Sequence, residues 1–215
     1  MHRVKHIAWD WNGTLIDDVH AGLGSLNRML ERRGIPTLSR EQYRSNFDFP
    51  VKTFYEGLGF DFETEDWHGV SVEFYADYME IADDIHVRPG ILDAIQTLKG
   101  REIGASVLSA CEHQILVGML EKRGVLSVFD SVYGIDSIYA DSKVGVGKRL
   151  MADHGLEPEE LLVVGDTTHD HDVAEALGAQ CILFAGGHMT ADRLDACNRD
   201  VLDFLEDIVS HFPTR

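Results

Sequence analysis

The sequence predicts an α/β protein, with a parallel β-sheet covered by helices on both faces and a helical segment inserted after the first strand. Two observations lead to this prediction. From about residue 87 to the C-terminus, short apolar runs alternate with helical patterns, as in βαβ units. Between residues 17 and 86 the pattern is helical and contains no convincing strand. A chain of 215 residues is long enough to bury a substantial core around such a sheet.

Five short apolar runs are expected to form the strands. The first, VKHIAW, ends at Asp10, and the turn-prone step Asn12-Gly13 follows it. The others are EIGASVLS (102–109), SVYG (131–134), LLVVG (161–165) and QCILFA (180–185). Runs that are apolar throughout are typical of parallel strands, because both faces of such a sheet are buried.

Helical patterns separate most of these strands, at residues 91–99, 112–123, 144–154 and 170–178. In the inserted segment the clearest helix is predicted over residues 64–85. Its apolar residues recur at steps of three and four and define one face: Trp67, Val70, Phe74, Tyr78 and Ile81. We expect Thr64 to cap this helix, with Glu65 and Asp66 as an acidic first turn.

Pro89-Gly90 marks the return to the α/β pattern. The sequence therefore predicts a core domain formed by residues 1–16 and 87–215. A helical domain of residues 17–86 is inserted into it.

Composition limits the classes of function. The formal net charge of −18 disfavours a general nucleic-acid binder, since an acidic surface repels the phosphate backbone. No run of 18 apolar residues exists, and the apolar stretch at the N-terminus is interrupted by Asp10, too early for a secretory signal. The three cysteines form no CxxC pattern and favour a reduced compartment. We therefore expect a cytoplasmic protein that binds neither nucleic acid nor membrane.

Polar residues lie at or near the carboxyl ends of predicted strands, the edge where open parallel sheets bind ligands. These are Asp10–Thr14, Ser109, Lys143 and the segment 165–170, which holds Asp166 and Asp170. Each alone has an ordinary structural explanation: a turn former, a surface lysine, or acids at a helix start. Their joint occurrence in this order indicates a functional site.

The sequence resembles the haloacid dehalogenase superfamily of hydrolases, nearest to the phosphoglycolate-phosphatase-like branch with a helical cap. The resemblance covers essentially the whole chain: Asp10–Thr14 matches motif one, Ser109 motif two, Lys143 motif three, and Gly165-Asp166 with Asp170 motif four. It implies a doubly wound, Rossmann-like parallel sheet with an inserted all-helical cap. It also implies an Mg²⁺-dependent phosphatase that acts on a small phosphorylated metabolite.

The resemblance also implies roles for these residues. Asp10 would attack phosphorus and form an aspartyl-phosphate. The Mg²⁺ ligands would be Asp10, Asp166 and the backbone carbonyl of Asn12, with Asp170 in support. The groups expected to hold the transferring phosphoryl oxygens are Ser109, Lys143 and backbone N–H groups near Gly13 and Thr14.

Asn12 departs from the superfamily pattern, because its phosphatases usually carry Asp two residues after the nucleophile. That Asp protonates the leaving oxygen and then activates water, whereas an amide cannot transfer a proton at neutral pH. In one interpretation the substrate has a good leaving group, such as an acyl or enol phosphate, or another residue supplies the proton. The histidines near the motif segments are His20, His113 and His169.

Two other interpretations stay open. The protein could bind phosphate compounds or a partner protein with little turnover, as a regulatory pseudo-phosphatase. It could instead resemble phosphonoacetaldehyde hydrolases, which also lack this Asp and use a cap lysine; Lys52 is the lysine of the inserted segment. For the substrate-facing loop of the cap, the candidates are Arg44, Phe47 and Phe49, close to Pro50.

Overall fold

The fold is built around a six-stranded parallel sheet with the strand order β3-β2-β1-β4-β5-β6. The computed structural model describes residues 3–82, 85–140 and 142–213. The strands are β1 (His6–Trp9), β2 (Gly104–Glu112), β3 (Ser131–Ile135), β4 (Leu161–Gly165), β5 (Gln180–Phe184) and β6 (Asp200–Leu202). The order reverses beside β1, so β2–β3 extend to one side and β4–β6 to the other. This confirms the predicted doubly wound α/β fold.

The helices fall into two groups. The inserted segment holds α1 (Val19–Arg32), α2 (Arg40–Asn46), α3 (Val51–Leu58) and α4 (Trp67–Ala82). The sheet is flanked by α5 (Ile91–Lys99), α6 (His113–Lys122), α7 (Val144–His154), α8 (Thr168–Leu177) and the short α9 (Ala191–Asp195). Single 3₁₀ segments lie at Leu126–Val128, Pro158–Glu160 and Leu205–His211.

The sheet separates two apolar cores. Along β1, Ile7 and Trp9 belong to one buried cluster and Ala8 to the other, because successive side chains point to opposite faces. A third cluster, which includes Leu26 and Phe54, lies within the inserted helices. The strands read as continuous apolar runs because both faces are covered.

The inserted segment leaves and rejoins the core at one place, where Ile16 forms an antiparallel bridge with Val87. Within it, the C-terminal end of α1 is joined to α4 by ion pairs from Arg32 to Asp77 (2.5 Å) and from the next residue, Arg33, to Glu73 (2.7 Å). We retain 17–86 as the proposed extent of a cap domain. No helix in the described part of the chain is both long and apolar enough to cross a membrane.

Several predicted boundaries differ from the structure. The predicted N-cap residue of α4, Thr64, is wrong. The helix begins at Trp67, and the Asp66 carboxylate accepts a hydrogen bond from the Gly69 N–H (2.9 Å). The Thr64 hydroxyl instead donates a hydrogen bond to Asp61. Residues 83 and 84 of that predicted helix lie outside the described residues.

At the sheet, Ser109 does not end its strand. β2 continues to Glu112, although its register with β3 shifts between Leu108 and Glu112. The sequence analysis also missed β6, a three-residue edge strand too short to give a pattern.

Candidate active site

Three carboxylates meet at the carboxyl edge of the sheet. Asp10 follows β1 and Asp166 follows β4, and these strands are direct neighbours. Asp170 lies in the first turn of α8, which begins just after β4. One oxygen of each carboxylate lies within 4.8 Å of the others, and all three residues are buried. The sheet topology thus brings together residues that are far apart in sequence.

Lys143 lies between two of these carboxylates. Its Nζ is 2.5 Å from Asp10 Oδ1 and 2.6 Å from Asp170 Oδ1, and it donates a hydrogen bond to the Leu108 carbonyl (3.0 Å). Burial lowers the pKa of this ammonium, but Asp10 and Asp170 outweigh burial and raise it above the usual range. Lys143 is therefore a fixed positive charge in the site.

One lysine does not balance three carboxylates. Burial, together with the charges of Asp170 and Asp166, raises the pKa of Asp10 to about 8 against the opposing effect of Lys143. Burial also raises the pKa of Asp166, whereas Lys143 overcomes burial and holds the pKa of Asp170 below its usual range. Clustered oxygen donors with unbalanced negative charge fit a hard divalent cation such as Mg²⁺.

Neighbouring groups fix the orientation of Asp166. The Thr14 hydroxyl donates to its Oδ1 (2.7 Å) and the His188 backbone N–H to its Oδ2 (2.6 Å). Gly13 has φ +75°, and a Cβ there would lie 2.3 Å from Asp166 Oδ2. A Cβ on Gly187 would lie 2.1 Å from the same oxygen. Only glycine allows the chain to approach this carboxylate so closely at these two positions.

A second polar cluster surrounds Asn12. Its Nδ2 donates to Asp18 Oδ2 (2.7 Å) and contacts the Tyr78 hydroxyl (3.0 Å). Asp18 also accepts from the Tyr78 hydroxyl (2.7 Å) and the Gly13 N–H (2.6 Å), and it pairs with His188 Nε2 (3.3 Å). Asn12 is thus held by residues of the inserted segment.

The charges of this cluster stabilise each other. Burial raises the pKa of Asp18, but His188 and the hydrogen bonds from Asn12 and Tyr78 outweigh burial and bring it to about 2. Burial lowers the pKa of His188, but Asp18 outweighs it and raises that pKa to about 9. The Tyr43 hydroxyl is 2.9 Å from His188 Nδ1. A buried ion pair between Asp18 and His188 therefore lies beside the carboxylates.

A cavity of about 150 Å³ extends from the carboxylates into the inserted helices. Asp10, Asn12, Ser109 and Lys143 line its floor, and Phe47 lies on the side of the insertion. The buried Ser109 hydroxyl accepts a hydrogen bond from the Cys111 N–H (3.1 Å). Asp170 also lines the cavity, and Asp166 lies behind it, against Thr14.

Some predicted site residues have other partners than expected. The N–H of Gly13 is bonded to Asp18 and the hydroxyl of Thr14 to Asp166, and neither residue lines the cavity. Their predicted contact with a phosphoryl group remains a prediction, and here they support the carboxylates instead.

Of the three histidines considered as proton donors, only one lies at the cavity. His169 lines the cavity, whereas His20 and His113 do not. Sequence reasoning missed Asp18, Tyr78 and His188. For His188 the Gly186-Gly187 step before it was a usable signal, because paired glycines often allow close approach of the backbone.

Comparison with known proteins shows the family. The family model of the haloacid dehalogenase-like hydrolases matches residues 7–184 of this chain, a span that includes the three carboxylates, Ser109 and Lys143. This chain belongs to the haloacid dehalogenase-like hydrolases. The predicted resemblance is therefore confirmed, including its phosphoglycolate-phosphatase-like branch.

Two relatives carry phosphatase names. A phosphoglycolate phosphatase of Chromobacterium violaceum is 26% identical over 204 residues, covering 91% of each chain. The probable phosphatase IndB of Dickeya dadantii is 26% identical over 210 residues, covering 94% of this chain and 91% of its own. Among solved structures, Protein Tyrosine Kinase A of Mycobacterium tuberculosis aligns over 100% of both chains with a TM-score of 0.81. At 21% identity, that likeness shows the fold alone.

Proposed function

We propose that this haloacid dehalogenase-like hydrolase is an Mg²⁺-dependent phosphatase that cleaves a small phosphate monoester through an aspartyl-phosphate at Asp10. One observation carries the proposal: Asp10 lines the cavity floor within 4.8 Å of Asp166 and Asp170, and its Oδ1 is 2.5 Å from Lys143 Nζ. The phosphatase names of its relatives support the same reaction class. Asp10, Asp166 and Asp170 are the side chains that would hold the ion.

The proposed reaction has two displacements. In the first, an Asp10 oxygen forms a bond to phosphorus while the bond from phosphorus to the leaving oxygen breaks. In the second, water attacks phosphorus and loses a proton to solvent, the bond from phosphorus to Asp10 breaks, and phosphate leaves. When bound, the divalent ion would supply positive charge that favours ionised Asp10 and offsets the phosphoryl oxygens.

The chain's own groups orient the phosphoryl group. Lys143 offers its ammonium beside Asp10, and Ser109 offers a hydroxyl on the same cavity floor. Such preorganised groups stabilise the charge that develops on the phosphoryl oxygens. Thr14 and the His188 N–H keep Asp166 in place, so that a ligand carboxylate does not have to reorient when the substrate binds.

Asn12 limits the chemistry. Its amide neither protonates the leaving oxygen nor takes a proton from water. We therefore expect substrates whose leaving group departs without a proton, and slow hydrolysis of the aspartyl-phosphate. Asn12 also makes a phosphate-binding protein with little turnover the second candidate function. The phosphonate-hydrolase alternative has less support, because Lys52 lies outside the cavity lining, with Nζ 5.2 Å from the Phe62 ring.

A screen of phosphorylated metabolites with Mg²⁺ tests the proposal, with the Asp10→Asn variant run beside the wild type. We expect turnover in the wild type, loss of it in excess chelator and none in well-folded Asp10→Asn. Trace turnover together with tight binding of phosphate analogues would favour the binding protein instead. Appreciable turnover by Asp10→Asn would exclude Asp10 as the nucleophile.

A further inference from the structure

We infer that the preferred substrate is an aryl phosphate, whose uncharged aromatic ring occupies the cavity above Asp10. Phosphoglycolate, with its carboxylate, would then be a poor substrate. This inference rests on the proposed phosphatase function and names the substrate class of the same site. Three properties of the cavity carry it: the chemistry of its walls, the absence of a free cation among the described lining residues, and its size.

The cavity walls formed by the inserted helices are mainly aromatic. Phe47, Phe54 and Phe74 line it together with Trp67 and Val51. The rings of Phe47 and Phe54 pack edge to face, with centroids 5.4 Å apart, and Phe47 packs in the same way on Phe49 at 5.6 Å. Aromatic rings favour stacked or edge-to-face contact with a further ring.

Several polar tips of the lining residues are engaged with protein groups, whereas the buried Nε2 of His169 has no hydrogen-bond partner among the described residues. The Tyr43 hydroxyl pairs with His188 and the Tyr78 hydroxyl with Asp18. The Ser71 hydroxyl donates to the Trp67 carbonyl (2.9 Å). These bonds leave mostly carbon surface facing the space, which suits an apolar ring better than a polyhydroxylated group.

No free cation awaits a substrate carboxylate in this cavity. Among the described residues that line it, the only lysine or arginine is Lys143, which is already paired with Asp10 and Asp170. Arg44 does not line it, because its guanidinium donates to the carbonyls of 185, 187 and 189. A carboxylate buried here without a cation would be strongly disfavoured.

The histidines do not change this. The His169 ring lies stacked on the Phe49 ring, with centroids 4.4 Å apart, so it forms part of the aromatic wall. Both ring nitrogens of His188 already have protein partners, Asp18 Oδ1 at 3.3 Å and the Tyr43 hydroxyl at 2.9 Å.

Size and leaving-group chemistry agree with an aryl group. An apolar cavity of the observed size, about 150 Å³, holds one benzene-sized ring. A phenol has a pKa of about 10. Its oxygen therefore leaves far more readily without a proton than an aliphatic alkoxide, whose conjugate acid resembles water with a pKa of about 15.7. The cavity thus selects the kind of ester that a site with Asn12 could cleave.

The test compares two phosphate esters and two non-hydrolysable analogues on the wild-type protein with Mg²⁺. We expect kcat/KM for phenyl phosphate to exceed that for phosphoglycolate by at least about tenfold, through burial of the ring. We likewise expect phenylphosphonate to bind more tightly than phosphonoacetate, measured by tryptophan fluorescence, since Trp67 lines the cavity. Equal or better turnover of phosphoglycolate would overturn the inference while leaving the phosphatase function intact.

If neither ester is turned over, the metabolite screen decides the phosphatase proposal, and the analogue pair decides which ligand the cavity prefers: tighter phenylphosphonate binding supports an aryl ligand, and equal or tighter phosphonoacetate binding overturns the inference. A charge variant adds a second readout. Val51→Lys places a cation in the cavity and should lower the phenyl phosphate to phosphoglycolate ratio of kcat/KM by about tenfold or more. Val72→Lys adds the same charge on the exposed side of α4 and should not change that ratio. Circular dichroism confirms that both variants fold.

Discussion

At position 12, the neighbouring carboxylate of Asp18 favours an amide over a second carboxylate. Its amide donates to Asp18 Oδ2 at 2.7 Å, and Asp18 is ionised because His188 and its hydrogen bonds bring its pKa to about 2. A carboxylate at position 12 would therefore face a second carboxylate. The amide at 12 and the carboxylate at 18 form a matched pair, which a sequence comparison at position 12 alone does not show.

This pairing predicts that Asn12→Asp alone restores little acid/base catalysis. Repulsion from Asp18 would turn the new carboxylate away, whereas Asn12→Asp combined with Asp18→Asn exchanges the two groups and keeps the hydrogen bond between them. The double variant should raise kcat for alkyl phosphates toward the roughly 10²–10⁴-fold that a positioned acid contributes. Phenyl phosphate should gain little.

Kinetics on both ester classes check this, with Asp18→Asn alone as the control. Asn12-Gly13 is prone to deamidation, so mass spectrometry of that peptide must accompany the wild-type assay. An equal gain in the single and double variants would show that Asp18 does not oppose a carboxylate at 12.

Thr14 provides a prediction on stability. Its buried hydroxyl donates to Asp166 Oδ1 (2.7 Å), so Thr14→Val leaves a buried carboxylate oxygen without that bond. We expect the free energy of unfolding to fall by about 1–3 kcal/mol. Urea denaturation measures it, with Thr97→Val as the control, because the Thr97 hydroxyl is on an exposed turn of α5 and its loss should cost at most about 0.5 kcal/mol. Equal effects of the two substitutions would contradict this role of Thr14.

The motif residues could be predicted from sequence because each lies in or after a strand whose apolar run is visible. Asp18, Tyr78 and His188 could not. Asp18 and Tyr78 reach Asn12 only after the inserted helices fold over the sheet edge, and nothing in their local sequence indicates that contact. For His188, the Gly186-Gly187 step indicates a close approach of the backbone but not its partner Asp166.

At the level of elements, α2 connects the inserted segment to the core. Arg44, on this helix, donates from Nε to the Gly187 carbonyl (2.7 Å) and from Nη2 to the carbonyls of Ala185 (2.5 Å) and Met189 (2.6 Å). A guanidinium can serve three carbonyls at once because its donors form a rigid fork. The sequence made Arg44 a candidate for a substrate-facing loop. In the structure it connects the insertion to the loop after β5.

We therefore expect Arg44→Lys to loosen this contact, since a single ammonium cannot reproduce the three bonds in that geometry. Backbone hydrogen exchange in α2 and α3 should become faster than in the wild type. Arg40→Lys, at an exposed position on the same helix, should leave the exchange rates unchanged. Unchanged exchange in Arg44→Lys as well would mean that other contacts hold α2 in place.

Element boundaries were predictable where the pattern is strong. The predicted bounds of α5 and α7, at 91–99 and 144–154, agree with the structure. The start of α4 differs because both Thr64 and Asp66 can cap a helix, and only the folded chain decides which one does. Strand β6 forms by pairing with β5, and its three residues are too few to give a recognisable strand pattern in the sequence.

At the scale of the whole molecule, His6 links stability to pH. Burial, with His154 nearby, lowers its pKa from 6.5 to about 4, so the folded state keeps it neutral while the unfolded state takes up a proton. Its contribution is therefore fully present above pH 6.5 and is lost as pH falls toward 4. Between pH 7 and pH 5 the loss should be roughly 1–2 kcal/mol, at about 1.36 kcal/mol per pKa unit.

Urea midpoints at pH 7 and pH 5 measure this loss. His6→Gln should reduce the difference between the two midpoints, because the group that titrates is gone. His20→Gln, at an exposed position on α1, should keep the wild-type difference. A full difference in His6→Gln would assign the acid sensitivity to other groups.

The overall architecture was predictable because the hydrophobic pattern differs between the two parts of the chain: strands alternate with helices in the core, and residues 17–86 show helices alone. The cavity was not predictable in the same way. Its aromatic walls come from α2, α3, α4 and the segment between α2 and α3, and the same apolar faces also form the core of the insertion.

The central claim is that Asp10 becomes phosphorylated, and rapid acid quenching followed by mass spectrometry of the Asp10 peptide tests it most directly. Because Asn12 cannot activate water, we expect phospho-Asp10 to accumulate during turnover of phenyl phosphate with Mg²⁺ and to be absent in Asp10→Asn or with chelator. Release of phosphate in a single turnover with no phosphorylation at Asp10, or equal turnover by Asp10→Asn, would contradict the account.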